Sequence, residues 1–226
     1  MKKTLVSILA IAAIVFSSCG RVDRAHQLKV LNWADYINED VKEDFEEWYF
    51  EQTGEKVQLV YETFDINETA LTKIEVGHED YDVFCPSEYI IERMLKKDLL
   101  LPIQKELIPD SIYYFDNISP FVLNKFQQMA PNPDVQVSDY TAGYMWGTTG
   151  FIFNPQFVNR EDLLSWGAIL DPKFENRILM KDAFRDVYSV LVLYAFRNEL
   201  EAGTVNRDEL VRNITKKRVD AVKEIL

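Results

Sequence analysis

Histidine and cysteine are scarce in this chain: its 226 residues include two of each. His26 lies in a polar stretch near the start, and His78 lies in the acidic loop "GHEDYD". Neither a zinc site nor a histidine-based triad can be assembled from them, and His78 reads as a solvated loop residue. The P-loop, G-x-G-x-x-G and G-x-S-x-G signatures are missing as well. An enzyme is therefore not expected, and no cofactor or metal is implied. Basic residues are outnumbered, 25 against 37 acidic, for a net charge of -12. Nucleic-acid binding needs clustered Lys and Arg, so that partner is excluded. An acidic surface serves solubility, and it also suits a cationic ligand. The chain shows no internal repeat and no low-complexity segment.

The first residues, "MKKTLVSILAIAAIVFSSC", have the layout of a secretory signal. Lys2 and Lys3 form a basic start, and Leu5 to Phe16 form an apolar stretch too short to span a bilayer comfortably. Small residues and Cys19 follow. "FSSC" resembles the lipobox of bacterial lipoproteins, which implies a signal peptide over 1–18 and lipidation of Cys19. The alternative is a plain secretory signal with an incidental Cys19. Residues 19–27 are polar and patternless and read as a lipidated tether. With Cys19 carrying lipid, Cys85 has no disulfide partner. It sits in the apolar run "YDVFCPS" and reads as a small buried hydrophobe. No later stretch is long and apolar enough to cross a membrane.

The body of the chain alternates in type. "LKVLN" reads as a short buried strand. From Asn38 to Gln52, Val41, Phe45 and Trp48 recur at helical spacing, acidic residues crowd the first turn, and Gly54 follows as a stop. "KVQLVYETF" alternates as a strand. "NETALTKIEVG" reads as a helix capped by Asn67, "YDVFC" as a third strand halted by Pro86, and "SEYIIERMLKKDLL" as a helix capped by Ser87. Such β-α-β-α-β-α order implies an α/β fold with a parallel sheet. Further on, a helix is expected around Phe121 to Met129, and "AGYMWGTTGFIFNP" reads as a glycine-punctuated strand region. "REDLLSW", "DAFRDVYSVLVLYAFRNEL" and "RDELVRNITKKRVDAVKEIL" read as helices, the last without a stop signal.

Ligands of open parallel sheets sit outside the carboxyl ends of the strands. Trp33, Asp35 and Tyr36 follow the first strand, and Ser87 and Tyr89 follow the third. Two strand ends thus aim aromatic and polar groups at one crevice. An aromatic face attracts a cation and packs against methylenes, while a carboxylate fixes an ammonium by a charge-assisted hydrogen bond. The set suits an alkyl chain with ammonium ends. Core packing of Trp33 and Tyr36 is the competing reading.

Four stretches, "LNWADYI", "YDVFCPSEYIIERM", "YMWGTTGFIFN" and "SWGAILDPKFENRILMKDAFRDVY", resemble the polyamine-binding proteins of bacterial ABC importers, the spermidine and putrescine receptors. The resemblance implies a two-lobed periplasmic-binding-protein-like (type II) fold that closes over its ligand. It implies a monomeric receptor in the periplasm, lipid-anchored to a membrane, delivering polyamine to an ABC permease. By the same resemblance Trp33 and Tyr36 line the polyamine site, Asp35 matches an acidic position, and Ser87 and Tyr89 match the loop after the third strand. Asp186 matches an acidic residue of the second lobe, commonly the longer Glu, and Asp182 falls near another site carboxylate. Ala34 replaces a frequent hydroxyl residue. A same-fold receptor for another small solute and a polyamine-dependent sensor lipoprotein are the alternatives.

Family members are considerably longer. The lobes are expected at 28–141 and 142–226, the second incomplete and the chain truncated. Half a core and unpaired strand edges would then be exposed, making the chain poorly soluble.

Overall fold

Seven residues that are apolar or pleat-compatible, Gln27–Trp33, form the central strand of a three-stranded parallel sheet. The computed structural model describes residues 23–108, 117–143 and 145–226. The expected signal peptide and Cys19 lie outside the described residues. The chain divides into two units, Met1–Ile91 and Glu92–Leu226, whereas the sequence places the lobe boundary at 141/142.

In the first unit, β1 (Gln27–Trp33) lies between β2 (Gln58–Phe64) and β3 (Val83–Phe84). Register runs from Gln27 opposite Gln58 to Trp33 opposite Phe64, and from Val30 opposite Val83 to Leu31 opposite Phe84. β3 is shorter than "YDVFC" suggests. Its flanks still bond to β1, however, with the Asp82 amide donating to the Lys29 carbonyl and the Cys85 amide to that of Leu31, both at 2.9 Å. Leu31, Phe64 and Ala70 form the buried core, with Trp33, Tyr81 and Phe84 packed against them. Only Leu31 and Asn32 of β1 are fully buried, on opposite faces of the strand, and the rest of "LKVL" is half-buried.

Helix α1 (Asp40–Thr53) ends at Gly54, whose φ of 74° is the left-handed conformation that glycine adopts without strain. Its apolar stripe covers the sheet only partly, and it holds no buried residue. The Glu46 carboxylate ties it down by accepting the Leu59 amide at 2.7 Å. Helix α2 (Asn67–Glu75) starts at Asn67 rather than after it. Asn67 is therefore not the cap: Ile66 takes that position, and the Asn67 side chain is spent on tertiary hydrogen bonds. Helix α3 (Glu88–Leu95) follows β3, and its Ile90 amide bonds the Ser87 carbonyl at 3.0 Å.

The described part of the expected tether is fixed. Arg24–His26 form a 3-10 turn, with the Asp23 carboxylate accepting the Ala25 amide. Arg24 reaches Asp80 at 2.7 Å and Asp82 at 2.9 Å, and the Lys29 ammonium adds Asp80 at 2.7 Å. The hydrogen bonds from Arg24 and then Lys29 hold the Asp80 carboxyl well below the usual carboxylate range. Burial opposes the same shift at Asp82, but its bonds to Arg24 and the Lys29 amide prevail, and its pKa is lowered too. His78 is exposed in a left-handed turn at φ 53°, as its solvated loop requires.

The regular structure described in the second unit is helical, and extended segments separate its elements. Helices α4 (Pro120–Gln127), α5 (Phe184–Ala195), α6 (Arg197–Glu201), α7 (Arg207–Arg212) and α8 (Lys216–Ile225) are joined by 3-10 turns at Arg160–Leu163, Trp166–Leu170 and Pro172–Phe174. Its core is Tyr188, Leu191, Val192, Leu210 and Val222, with Trp166, Ile169 and Leu170 against it. Three expectations are corrected. "REDLLSW" makes 3-10 turns, not an α-helix. The C-terminal run is two helices, because the Thr215 side chain accepts the Arg218 amide and starts a new one. Finally, 145–154 contains no strand. Trp146 is 79% exposed and Ile152 and Leu179 are fully exposed, and an extended segment needs a paired neighbour to become a strand.

Candidate functional site

Every strand of the sheet ends in an aromatic residue. Trp33, Phe64 and Phe84 close β1, β2 and β3. Trp33 and Phe64 lie 4.5 Å apart between ring centroids, and Phe64 and Phe84 lie 5.5 Å apart edge to face. Beyond Trp33 the chain turns through Asp35, whose φ of 59° is left-handed, a conformation that aspartate tolerates better than most residues. The turn brings Tyr36 back over Trp33 at 6.0 Å, with the rings inclined by 32°. Trp33 is half-buried, whereas Asp35 and Tyr36 are exposed. Trp33 thus packs on the core with one side, and Tyr36 is not core.

The loop after β3 is held from the loop after β2. Asn67 is only 6% exposed. Its Nδ2 donates to the Ser87 hydroxyl and to the Tyr89 phenol, each at 3.0 Å, and its Oδ1 accepts the Ser87 amide at 3.1 Å. The Tyr89 hydroxyl in turn donates to Glu68 Oε1 at 2.9 Å. Below them Asn32, also buried, donates to the Tyr61 hydroxyl at 2.8 Å and accepts the Trp33 amide at 2.7 Å. Cys85 is a free thiol whose pKa is raised by burial.

The structure thus joins Trp33 with Tyr36, and Ser87 with Tyr89, at the carboxyl edge of one sheet. Asp186 and Asp182 belong to the other unit. Asp186 sits exposed in the first turn of α5, with the Lys181 ammonium at 3.0 Å. Asp182 is exposed on the segment before that helix. Phe64 and Glu68 were missed in the sequence, and Asn67 was read as a helix cap. They follow β2 just as Trp33 follows β1, so applying the strand-end rule to all three strands would have found them. Chemically, the edge offers ring faces, hydroxyl oxygens and two exposed carboxylates, Asp35 and Glu68. These groups stabilise a cation and its methylenes. Among the described residues no cluster of His, Cys, Asp and Glu could hold a metal ion.

An open parallel sheet with such an edge has the architecture of a small-ligand receptor lobe. Residues 82–224 match the family of bacterial extracellular solute-binding proteins, and the chain belongs to that family. It is 29% identical over 192 residues to the spermidine/putrescine-binding periplasmic protein of Escherichia coli, covering 84% of this chain and 50% of that one. Identity to the putrescine-binding periplasmic protein of the same organism is also 29%, over 85% of this chain and 51% of the relative. Among solved structures, a spermidine/putrescine ABC transporter substrate-binding protein of Streptococcus pneumoniae superimposes with a TM-score of 0.57 at 28% identity. It covers 88% of this chain and 53% of that one. A protein of Listeria monocytogenes reaches 0.63 at 26% identity with the same coverage. The fold is that of the periplasmic binding proteins, and the chain spans about half the length of the relatives it matches.

Proposed function

We propose that this chain belongs to an extracytoplasmic receptor that captures polyamines, putrescine or spermidine, for an ABC importer. The observation that carries the reading is the Trp33–Tyr36 pair at the end of the central strand, with the exposed Asp35 in the turn between them. An alkyl diamine lays its methylenes on the rings of Trp33, Tyr36 and Tyr89, and Asp35 takes one ammonium. Asp186 is a further candidate carboxylate, with Asp182 the weaker one. Ser87 adds a hydroxyl contact. The names of the relatives support the ligand class. The basic-apolar start and Cys19 support export and a lipid anchor that holds a monomeric receptor beside its permease.

Titration of the chain with 1,4-diaminobutane and with spermidine, followed by tryptophan fluorescence and calorimetry, tests the proposal. Saturable binding with a change in emission is expected. No response at about 1 mM, where even a weak site of some 4 kcal/mol half-fills, overturns it.

A further inference from the structure

We infer that Asn67 and Glu68 set the sign of charge the site accepts, with Glu68 a ligand-binding carboxylate and Asn67 a positioning residue. The inference rests on the polyamine reading and deepens it. A carboxamide nitrogen can only donate, so Ser87 Oγ and Tyr89 Oη must both act as acceptors toward Asn67 Nδ2. A phenol has one proton, and that of Tyr89 goes to Glu68 Oε1 at 2.9 Å. Tyr89 therefore has no proton left to offer an anionic ligand. The same bond occupies only one oxygen of Glu68, whose side chain is exposed in the first turn of α2. The other oxygen takes no hydrogen bond among the described residues and is positioned to accept an ammonium.

Orientation is fixed as well as polarity. Asn67 is buried, and it holds the loop after β3 by three hydrogen bonds, two to Ser87 and one to Tyr89. If Asn67 turned its amide over, its oxygen would face two hydroxyl oxygens and its nitrogen would face the Ser87 amide. The Ser87 N–H therefore selects one amide orientation, and that orientation selects the directions of both hydroxyls.

Glu68→Gln tests this directly. Glutamine can donate to the Tyr89 oxygen, which frees the phenol proton to point elsewhere and removes the negative charge. Binding of 1,4-diaminobutane to the whole chain should weaken about tenfold, the scale of one lost charge-assisted hydrogen bond. The melting temperature should stay unchanged, since Glu68 is exposed. The isosteric Asn67→Asp cannot donate to either hydroxyl and should weaken binding by a similar factor. The Tyr89 ring carbon signal, followed by 13C NMR without ligand, should move in both variants. The inference fails if both variants bind the diamine as the unsubstituted chain does, or if the Tyr89 signal stays still. If the unsubstituted chain binds no diamine at all, the polyamine reading falls and this one with it, whereas a failure confined to the variants leaves that reading standing.

Discussion

Trp33 and Phe64 are register partners on adjacent parallel strands, and their ring centroids lie 4.5 Å apart. The same indole meets Tyr36 at 6.0 Å. One side chain is thus shared between the core and the candidate site. A fully buried aromatic cut to alanine costs about 3–5 kcal/mol. Trp33 is half-buried, so Trp33→Ala should cost about 2 kcal/mol in urea unfolding. Binding should weaken more than this loss of stability explains, because the platform itself is gone. Trp33→Phe should restore most of the stability and only part of the binding. Equal restoration of both would assign Trp33 to the core alone.

Acid should loosen the chain entry. The Asp80 and Asp82 carboxyls have lowered pKa values in the fold and revert to about 3.9 when unfolded. A lowered carboxylate contributes stability above its unfolded pKa and loses that contribution as pH falls through the folded value. The contribution is therefore present at pH 7 and erodes below about pH 4. Arg24→Ala should lower the urea midpoint at pH 7 and flatten its fall between pH 5 and pH 3. An unchanged acid limb would show that these exposed pairs add nothing.

Cys85 should react slowly. Burial raises its pKa, so at pH 8 less thiolate is present than on an ordinary cysteine, and thiolate is the nucleophile. Modification by a disulfide reagent should be well below the rate for the urea-unfolded chain. Equal rates in the two states would contradict the burial.

Ile152 and Leu179 are fully exposed and Trp146 is 79% exposed, and large apolar side chains left in water favour association. Ile152→Lys with Leu179→Lys should raise the soluble fraction several-fold on centrifugation without altering the helical signal. An unsubstituted chain that stays soluble at high concentration would count against these side chains being sticky.

Much of the first unit was legible because its signals are local. Gly54 ends α1 at a left-handed position, Pro86 lies just past β3, and the mostly apolar run at Leu28 to Leu31 marks the central strand. The Trp33, Tyr36, Ser87 and Tyr89 positions follow from strand order alone. Asn67 was misread because an Asn before a helical pattern has a default reading as a cap. Only the fold shows that its side chain turns away to Ser87 and Tyr89. The break between α7 and α8 was missed for the converse reason, since the capping Thr215 lies inside an otherwise continuous helical pattern. The expected strand at 142–155 shows a further limit. Apolar alternation reports that a segment can pair, and pairing depends on a neighbour.

The central place of β1 has a mechanical consequence. It is the first strand among the described residues, and it is bonded along its length to β2 and through its middle to β3, both parallel. A pull applied on the N-terminal side and directed along the strand loads both ladders together. Parallel ladders loaded that way must give as a set, in shear, rather than unzip one bond at a time. Arg24, fastened to Asp80 and Asp82 just before the strand, takes the first of that load. A protein hung from its N-terminal end would therefore load its sheet through the central strand.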